Sequence, residues 1–237
     1  NPESTDKIPG NHAFTPMRLA LFDLDHTLLP LDSDVEWGKF AARLGIVDPD
    51  HHRSENDRFY QLYTQGRLDI HEYLAFQITP LGAHSCEQLA EWHARFMGEV
   101  VQPAIRREAL ELVDEHRRAG DLCAIVTATN EFVTAPIARA FGVEHLVATT
   151  LECVDGRFTG RARGTPSYRE GKVTRTAEWL RSLGHDWNDF ERSWFYSDSA
   201  NDIALMSLVT DPVATNPDAR LAAHAAEHGW RVLNLFE

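Results

Sequence analysis

Cysteine and positive charge are both scarce in this sequence. Its 237 residues include three cysteines, Cys86, Cys123 and Cys153, and their odd number and wide spacing fit neither a disulfide framework nor a zinc site. We therefore expect a protein of the reducing cytoplasm. Lysine and arginine together number 23 against 36 aspartate and glutamate residues, which gives a net charge of −13. This charge argues against a general nucleic-acid-binding protein and against a protein held on an anionic membrane.

Long apolar runs are missing as well. The apolar runs, such as 18–22 and 122–126, are far shorter than the ~20 residues that a membrane helix requires, so we expect no membrane span. Residues 1–16 are polar, contain three prolines and lack the apolar stretch of a secretory signal. We expect this segment to be a flexible tail, with Met17 as a candidate start. The composition, 43% hydrophobic and 25% charged, is typical of a globular protein.

Short apolar runs alternate with stretches of helical periodicity along most of the chain. We predict strands at 18–22, 121–127, 193–197, 211–214 and 231–235, and helices at 130–141, 169–183, 200–208 and 218–228. A hairpin is predicted at 151–159, where Asp155-Gly156 is a strong turn signal. This alternation predicts an α/β fold with a Rossmann-like parallel sheet and helices on both of its faces.

The region after the first strand breaks this alternation. From about Ser33 to Gly120, apolar residues recur three and four positions apart, which predicts several consecutive helices. Because this block is too long for one crossover helix, we predict an all-helical cap, residues 30–102, inserted after the first strand. The core domain would then comprise residues 17–29 and 103–237, with residues 1–16 outside it.

Two acidic clusters follow predicted strands. Asp23 and Asp25 lie just past the first strand, and Asp198 ends the strand at 193–197, shortly before Asn201 and Asp202. In open α/β sheets, ligands bind beyond the carboxyl ends of the strands. Neighbouring carboxylates favour a hard divalent cation between them, and Mg²⁺ is the usual choice beside phosphates. The alternatives are an acidic loop that faces water for the first cluster and a helix-dipole partner for Asp202.

Two further segments offer groups suited to phosphate. Thr127 ends the second strand, and its hydroxyl, with backbone N–H groups from Ala128 toward the next helix, is suited to a phosphate oxygen. Lys172 lies at the start of a predicted helix, where positive charge is unfavourable for the helix dipole. That position suits a lysine that neutralises a phosphoryl group. Taken singly, a threonine that caps a turn and a solvated lysine are the alternative interpretations.

Four motifs in a fixed order carry a family resemblance: DLDHT at 23–27, Thr127, GK at 171–172 and DSAND at 198–202. This order resembles that of the haloacid dehalogenase superfamily, in its phosphoserine-phosphatase-like branch, subfamily IB. The resemblance runs from Met17 onward and includes an early helical cap. It implies the haloacid dehalogenase fold and Mg²⁺-dependent hydrolysis of a small phosphorylated metabolite through an aspartyl-phosphate intermediate.

The resemblance also implies roles for the residues of the motifs. Asp23 would be the nucleophile, and Asp25 would protonate the leaving oxygen and then activate water. Thr127 and Lys172 would hold the phosphoryl oxygens. A second carboxylate at Asp25 favours cleavage of a P–O bond, because an alkoxide leaving group needs a proton.

The resemblance further implies how Mg²⁺ would be held. Its ligands would be a carboxylate oxygen of Asp23, the backbone carbonyl of Asp25 and the side chain of Asp198. Asn201 and Asp202 would support the metal or the phosphate.

Substrate specificity is expected to lie in the cap. In phosphoserine phosphatases an acid shortly after the first motif contacts the amino group, and a cap arginine contacts the carboxylate. Here Asp32 follows the first motif, and Arg53 and Arg58 are candidate carboxylate partners. The usual glutamate is absent, so phosphoserine and histidinol phosphate are equally open as substrates. Aromatic residues at helical spacing are predicted to be core or cap lining: Tyr60, Tyr63, Trp92 and Phe96.

Two other functional classes fit part of the pattern. A phosphotransferase would use the same aspartyl-phosphate and pass it to an alcohol instead of water. A phosphorylatable receiver domain also gathers acidic residues, a threonine and a lysine at strand ends, although the helical insert and Asp25 argue against it. The sequence leaves the oligomeric state open.

Overall fold

The structure is a computed structural model that describes residues 17–236, so the tail predicted at 1–16 lies outside the described residues. The strands are β1 (Met17–Phe22), β2 (Leu122–Asn130), β3 (His145–Val154), β4 (Arg157–Arg163), β5 (Phe190–Ser197), β6 (Asp211–Thr215) and β7 (Arg231–Leu233). The helices are α1 (Ser33–Arg43), α2 (Pro49–Thr64), α3 (Ile70–Ile78), α4 (Cys86–Phe96), α5 (Gln102–Ala104), α6 (Arg107–Arg118), α7 (Glu131–Ala140), α8 (Glu170–Ser182), α9 (Ile203–Met206) and α10 (Ala219–His228). A π-helical turn (Met97–Val101) joins α4 to α5.

The strands form one seven-stranded sheet in the order β4-β3-β2-β1-β5-β6-β7. Every pairing is parallel except that of β3 with β4, which is antiparallel. The order reverses direction at β1, which lies between β2 and β5. Because a ligand cleft forms where the strand order reverses, the ends of these three strands are the place to look for a site. The predicted α/β fold is confirmed.

Strand β1 shows why the centre of the sheet is stable. Leu19 and Leu21 pack into the buried cluster on one face of the sheet, whereas Ala20 and Phe22 pack into the cluster on the other. Side chains of a strand alternate between faces, so a continuous apolar run places two residues in each layer. All four side chains are fully buried, as expected for a parallel strand covered on both faces.

The segment between β1 and β2 folds as the predicted succession of helices. Its first four helices begin at side-chain caps, with Asp32, Asp48, Asp69 and Ser85 accepting N–H groups of the following turns. Apolar side chains of α1, α3 and α4 join the cluster that contains Phe22. Thus the helices pack over the carboxyl edge of the sheet and are not separated from it. Their division into a distinct cap, 30–102, stays a prediction.

Two elements differ from the sequence-based expectation. The hairpin predicted at 151–159 is part of longer strands, because the first half of β3 pairs with β2 in parallel before its second half turns back with β4. The helix predicted at 200–208 is shorter: a 3-10 turn (Ala200–Asp202) precedes the four residues of α9. Ser199 caps this turn by accepting the N–H of Asn201.

Candidate active site

Asp23 lies directly beyond β1, at the centre of the carboxyl edge. Its backbone N–H donates to the carbonyl of Tyr196 at 2.8 Å, which fixes it to the end of β5. The chain then turns tightly, since the N–H groups of Thr27 and Leu28 both donate to the carbonyl of Leu24. This turn keeps the Asp23 side chain at the strand end, where it is almost fully buried.

Asp25 is held on both of its carboxylate oxygens. Oδ1 accepts the backbone N–H of Ser33 at 2.7 Å, and Oδ2 accepts the Thr129 hydroxyl at 2.8 Å. Burial raises the pKa of Asp25 to about 6, and the nearby charge of Asp32 adds to this increase. A carboxyl group with such a pKa exchanges a proton near neutral pH, as a general acid and base must.

Lys172 lies in the first turn of α8 and is 3% exposed. Its Nζ contacts Asp23 Oδ1 at 3.0 Å and Asp202 Oδ2 at 2.7 Å. Burial pushes the pKa of Lys172 down, but the carboxylates of Asp202 and Asp23 outweigh burial and leave the pKa above its usual value. The ammonium group therefore stays charged beside the proposed nucleophile, and it is not the solvated surface lysine of the alternative interpretation.

The loop after β5 presents the second acidic cluster. Asp198 Oδ1 accepts the Thr27 hydroxyl at 3.0 Å, and the same hydroxyl accepts the Asp198 N–H at 3.0 Å. Burial, and then the charges of Asp23 and Asp202, raise the pKa of Asp198 well above its usual value. Burial also raises the pKa of Asp202 to about 6, although Lys172 opposes the rise. A cation beside Asp198 would therefore stabilise its charged form.

Thr127 and Ala128 lie on the opposite wall, near the end of β2, which continues to Asn130 and so does not end at Thr127 as predicted. Thr127 is buried, and its Oγ1 accepts the backbone N–H of Thr129 at 3.2 Å. The ladder between β2 and β3 shifts register between Val126 and Asn130. This irregularity opens the backbone where a phosphate oxygen would need N–H donors.

These groups line one cleft of about 700 Å³. The predicted site residues that line it are Asp23, Asp25, Asp32, Thr127, Ala128, Lys172, Asp198, Asn201 and Asp202. Three helices that follow β1 supply its other wall, which includes Val35, Asn56, Tyr60, Tyr63 and Tyr73. Chain segments more than a hundred residues apart are thus brought to one place.

Arg53 and Arg58 do not line this cleft, so the structure gives no support to the expectation that they contact the substrate. Arg53 lies 3.4 Å from Asp50 with a side chain that is 72% exposed. Arg58 contacts Glu55 and Glu72, each at 2.8 Å. Carboxylates one turn away on the same helix, Asp50 and Glu55, pair with the two guanidinium groups.

The oxygen ligands at the strand ends fit a hard cation. Lys172 contacts one carboxylate oxygen of Asp23, and Thr27 contacts one carboxylate oxygen of Asp198. No described residue donates a hydrogen bond to the second oxygen of either carboxylate. Within residues 17–236, no group of three or more His, Cys, Asp or Glu side chains is arranged to hold an ion by itself. The remaining ligands would have to be backbone carbonyls or water, and Mg²⁺ usually keeps several waters.

Three contacts of the site were not predicted from the sequence. Thr129 donates to Asp25, Thr27 bridges to Asp198, and Tyr63 shares a 2.7 Å hydrogen bond with Ser199. Thr27 lies two residues after Asp25, and Thr129 lies two residues after Thr127. The hydroxyl so close to each motif was the sequence signal from which these two contacts could have been predicted. Tyr63 carried no such signal, because its contact joins residues 136 positions apart.

A carboxylate-rich cleft with a buried lysine, at the carboxyl edge of a parallel sheet and covered by helices, defines an α/β enzyme that handles phosphoryl groups. The chain belongs to the haloacid dehalogenase-like hydrolase family, whose family model matches residues 20–207. It is a phosphatase of this family, as the following relatives support.

Comparison with curated proteins gives two informative relatives. A histidinol-phosphatase of Neisseria meningitidis is 44% identical over 217 residues, which cover 91% of this chain and 98% of the relative. A phosphoserine phosphatase, SerB1, of Mycobacterium tuberculosis is 33% identical over 228 residues, covering 90% of this chain and 69% of the relative. The predicted family and enzyme class are confirmed.

Solved structures give the same fold. A crystal structure of a protein of unknown function from Bordetella pertussis Tohama I has a TM-score of 0.89 at 53% identity, covering 94% of this chain and 100% of that chain. A substrate-bound phosphoserine phosphatase has a TM-score of 0.64 at 19% identity, covering 92% of each chain. In the part of the chain that the structure describes, no helix is both long and apolar enough to cross a bilayer.

Proposed function

We propose that this phosphatase transfers the phosphoryl group of a small phosphomonoester to Asp23 and then to water. The observation that carries this proposal is the contact of Lys172 with Asp23 at 3.0 Å in a buried cleft. The lysine holds the carboxylate in place and supplies positive charge to the incoming phosphoryl oxygens. Phosphoryl transfer depends mainly on such alignment and charge neutralisation.

The two chemical steps balance with the groups present. An oxygen of Asp23 attacks phosphorus, the P–O bond to the leaving group breaks, and Asp25 gives its proton to the leaving oxygen. Water then attacks phosphorus while Asp25 takes its proton, and cleavage of the bond to Asp23 releases phosphate. The raised pKa of Asp25, about 6, suits both roles. Thr127 and the N–H of Ala128 would hold the phosphoryl oxygens.

Phosphatases of this family generally use Mg²⁺, and we propose that Asp23, Asp198 and the backbone carbonyl of Asp25 hold it here, with Asp202 in support. When bound, the ion would neutralise charge on the phosphoryl oxygens. The residues of this chain do the remaining work: they position the phosphate, shield it from bulk water and move the proton. Helices α1 to α4 would act as the cap that excludes water.

We further propose that the substrate is a phosphate ester of an amino alcohol, of the histidinol phosphate type. Asp32 lines the cleft, and its Oδ1 accepts the N–H groups of Asp34 and Val35, which leaves Oδ2 to accept an ammonium group. Among the described residues that line the cleft, the permanent cations are Lys172, already paired, and Arg220, exposed at the rim. A substrate carboxylate would therefore find no buried cation, which disfavours phosphoserine.

The test compares histidinol phosphate, O-phosphoserine and p-nitrophenyl phosphate, with Mg²⁺ and release of inorganic phosphate as the readout. We expect the highest kcat/KM for histidinol phosphate. In Asp32→Asn the amide still caps α1 but lacks the charge, so kcat/KM should fall about ten- to hundredfold more for histidinol phosphate than for p-nitrophenyl phosphate, which has no amino group. Equal losses on both substrates would refute the amine contact, and transfer to an added alcohol without phosphate release would identify a phosphotransferase.

A further inference from the structure

Arg169 is a residue that neither the sequence motifs nor the proposed chemistry explains. It directly precedes α8 and adopts φ 50° and ψ −123°, a backbone conformation that is costly for a residue with a side chain. Its guanidinium group joins two parts of the molecule that are distant in sequence. Nε donates to Asn201 Oδ1 at 3.1 Å, and Nη2 donates to the carbonyl of Gly66 at 2.9 Å.

The Gly66 end of this bridge is the end of α2. Gly66 has φ 70°, and its N–H and that of Arg67 return to the last turn of α2, the arrangement of a glycine helix terminus. The Gly66 carbonyl points away from the helix and accepts Arg169. A Cβ at Gly66 would lie 3.5 Å from Nη2 of Arg169, so the guanidinium group packs directly against this terminus.

The Asn201 end of the bridge fixes an amide that lines the cleft. Because Arg169 occupies Oδ1, the amide must turn its NH₂ group to the opposite side, away from the guanidinium group. Asn201 also interacts with the Tyr63 hydroxyl, which is bonded to Ser199. In this orientation an N–H donor that the Tyr63 hydroxyl does not take is available to a phosphoryl oxygen in the cleft that Asn201 lines, whereas the flipped amide would present its carbonyl oxygen.

We propose that Arg169 is a positioning residue that sets the orientation of the Asn201 amide and ties it to the end of α2. It does not touch the substrate; it acts through Asn201. Because one guanidinium group contacts both Asn201 and the end of α2, the direction in which Asn201 presents its N–H donors depends on the position of α2 over the cleft. This inference rests on the proposed function, since it concerns how the same cleft receives a phosphoryl group.

The first test is a double-mutant cycle with Arg169→Lys and Asn201→Ala, assayed on p-nitrophenyl phosphate. Lysine keeps the charge but cannot donate to both acceptors as a planar fork. We expect Arg169→Lys alone to lower kcat about ten- to hundredfold and to cause little further loss when Asn201 is already alanine. Arg181→Lys, at the exposed far end of α8, is the matched control and should match the unmodified protein. Additive losses, or an unchanged kcat in Arg169→Lys, would overturn the proposal.

A second variant separates function from folding. Glycine tolerates φ 50° without strain, so Arg169→Gly should fold with a Tm no lower than that of Arg169→Lys while losing the same activity. Amide hydrogen exchange in the segment 58–66 should be faster in Arg169→Gly, because the carbonyl of Gly66 has lost its donor. Unchanged exchange there would overturn the tie to α2. If the unmodified protein releases no phosphate, the proposed function has failed; if it turns over and Arg169→Lys matches it, only the inference about Arg169 has failed.

Discussion

Replacing Lys172 by methionine should destabilise the fold and abolish turnover together. The substitution keeps most of the length of the side chain and removes the cation that lies 3.0 Å from Asp23 and 2.7 Å from Asp202. All three side chains are at most 10% exposed, so water in the cleft would compensate the lost charge only in part. Breaking a buried ion pair by removing one partner costs about 3–5 kcal/mol. For a protein of this size, that corresponds to a Tm lower by roughly 6–20 °C.

Thermal unfolding without added metal measures this effect, and Lys39→Met is its control. Lys39 pairs with Glu36 at the surface, with a side chain that is 63% exposed, so its loss should cost less than about 1 kcal/mol. Adding Asp202→Asn to Lys172→Met should recover part of the lost stability, because it removes an uncompensated buried charge. The activity should stay lost.

Two results would refute this reasoning. If Lys172→Met were no less stable than Lys39→Met, the charges around Lys172 would be solvated and the buried cluster would not exist as described. If Asp202→Asn lowered stability further in the Lys172→Met background, the loss would come from packing and not from charge.

Two further predictions concern backbone and pH. In Gly171→Ala the new Cβ would lie 2.0 Å from the carbonyl oxygen of Pro166, so the start of α8 must shift. We expect a loss of stability of about 1–3 kcal/mol, seen as a lower Tm, together with a lower kcat. Gly98→Ala, which has open space around the new Cβ, should lower neither, and equal behaviour of the two variants would contradict this prediction. Burial lowers the pKa of His93 below its usual 6.5, so the neutral ring stabilises the fold above about pH 6.5, and this stability is lost as the pH falls through the lowered pKa. At acidic pH the Tm should therefore fall less steeply with pH in His93→Gln than in the unmodified protein. Identical slopes would exclude His93 as a cause of the acid destabilisation.

The meeting of the candidate site residues in one cleft was predictable because the topology of a parallel sheet is restrictive. Once strands were predicted before Asp23, Thr127 and Asp198, their carboxyl ends had to meet at one edge. Lys172 was identifiable because a lysine at a helix start is unfavourable without a partner. The structure supplies that partner as a pair of buried carboxylates.

Contacts that join distant segments were not predictable in the same way. Arg53 and Arg58 were plausible substrate contacts by position, but nearby carboxylates bind both. Arg169 looked like any arginine before a helix, and its role depends on Gly66 and Asn201, 103 and 32 residues away. The parallel half of β3 was missed for a similar reason, since pairing with β2 leaves no local turn signal.

The covalent phosphorylation of Asp23 is the claim on which the rest of the account depends, and chemical trapping tests it most directly. The protein is mixed with substrate and Mg²⁺, quenched within one turnover and reduced with borohydride, which converts an acyl phosphate to an alcohol. Mass spectrometry of the tryptic peptide that spans 19–39 should then show homoserine at position 23, and Asp23→Asn should show neither this product nor turnover. An actively hydrolysing protein with no homoserine at position 23, or an Asp23→Asn variant with full activity, would contradict the account.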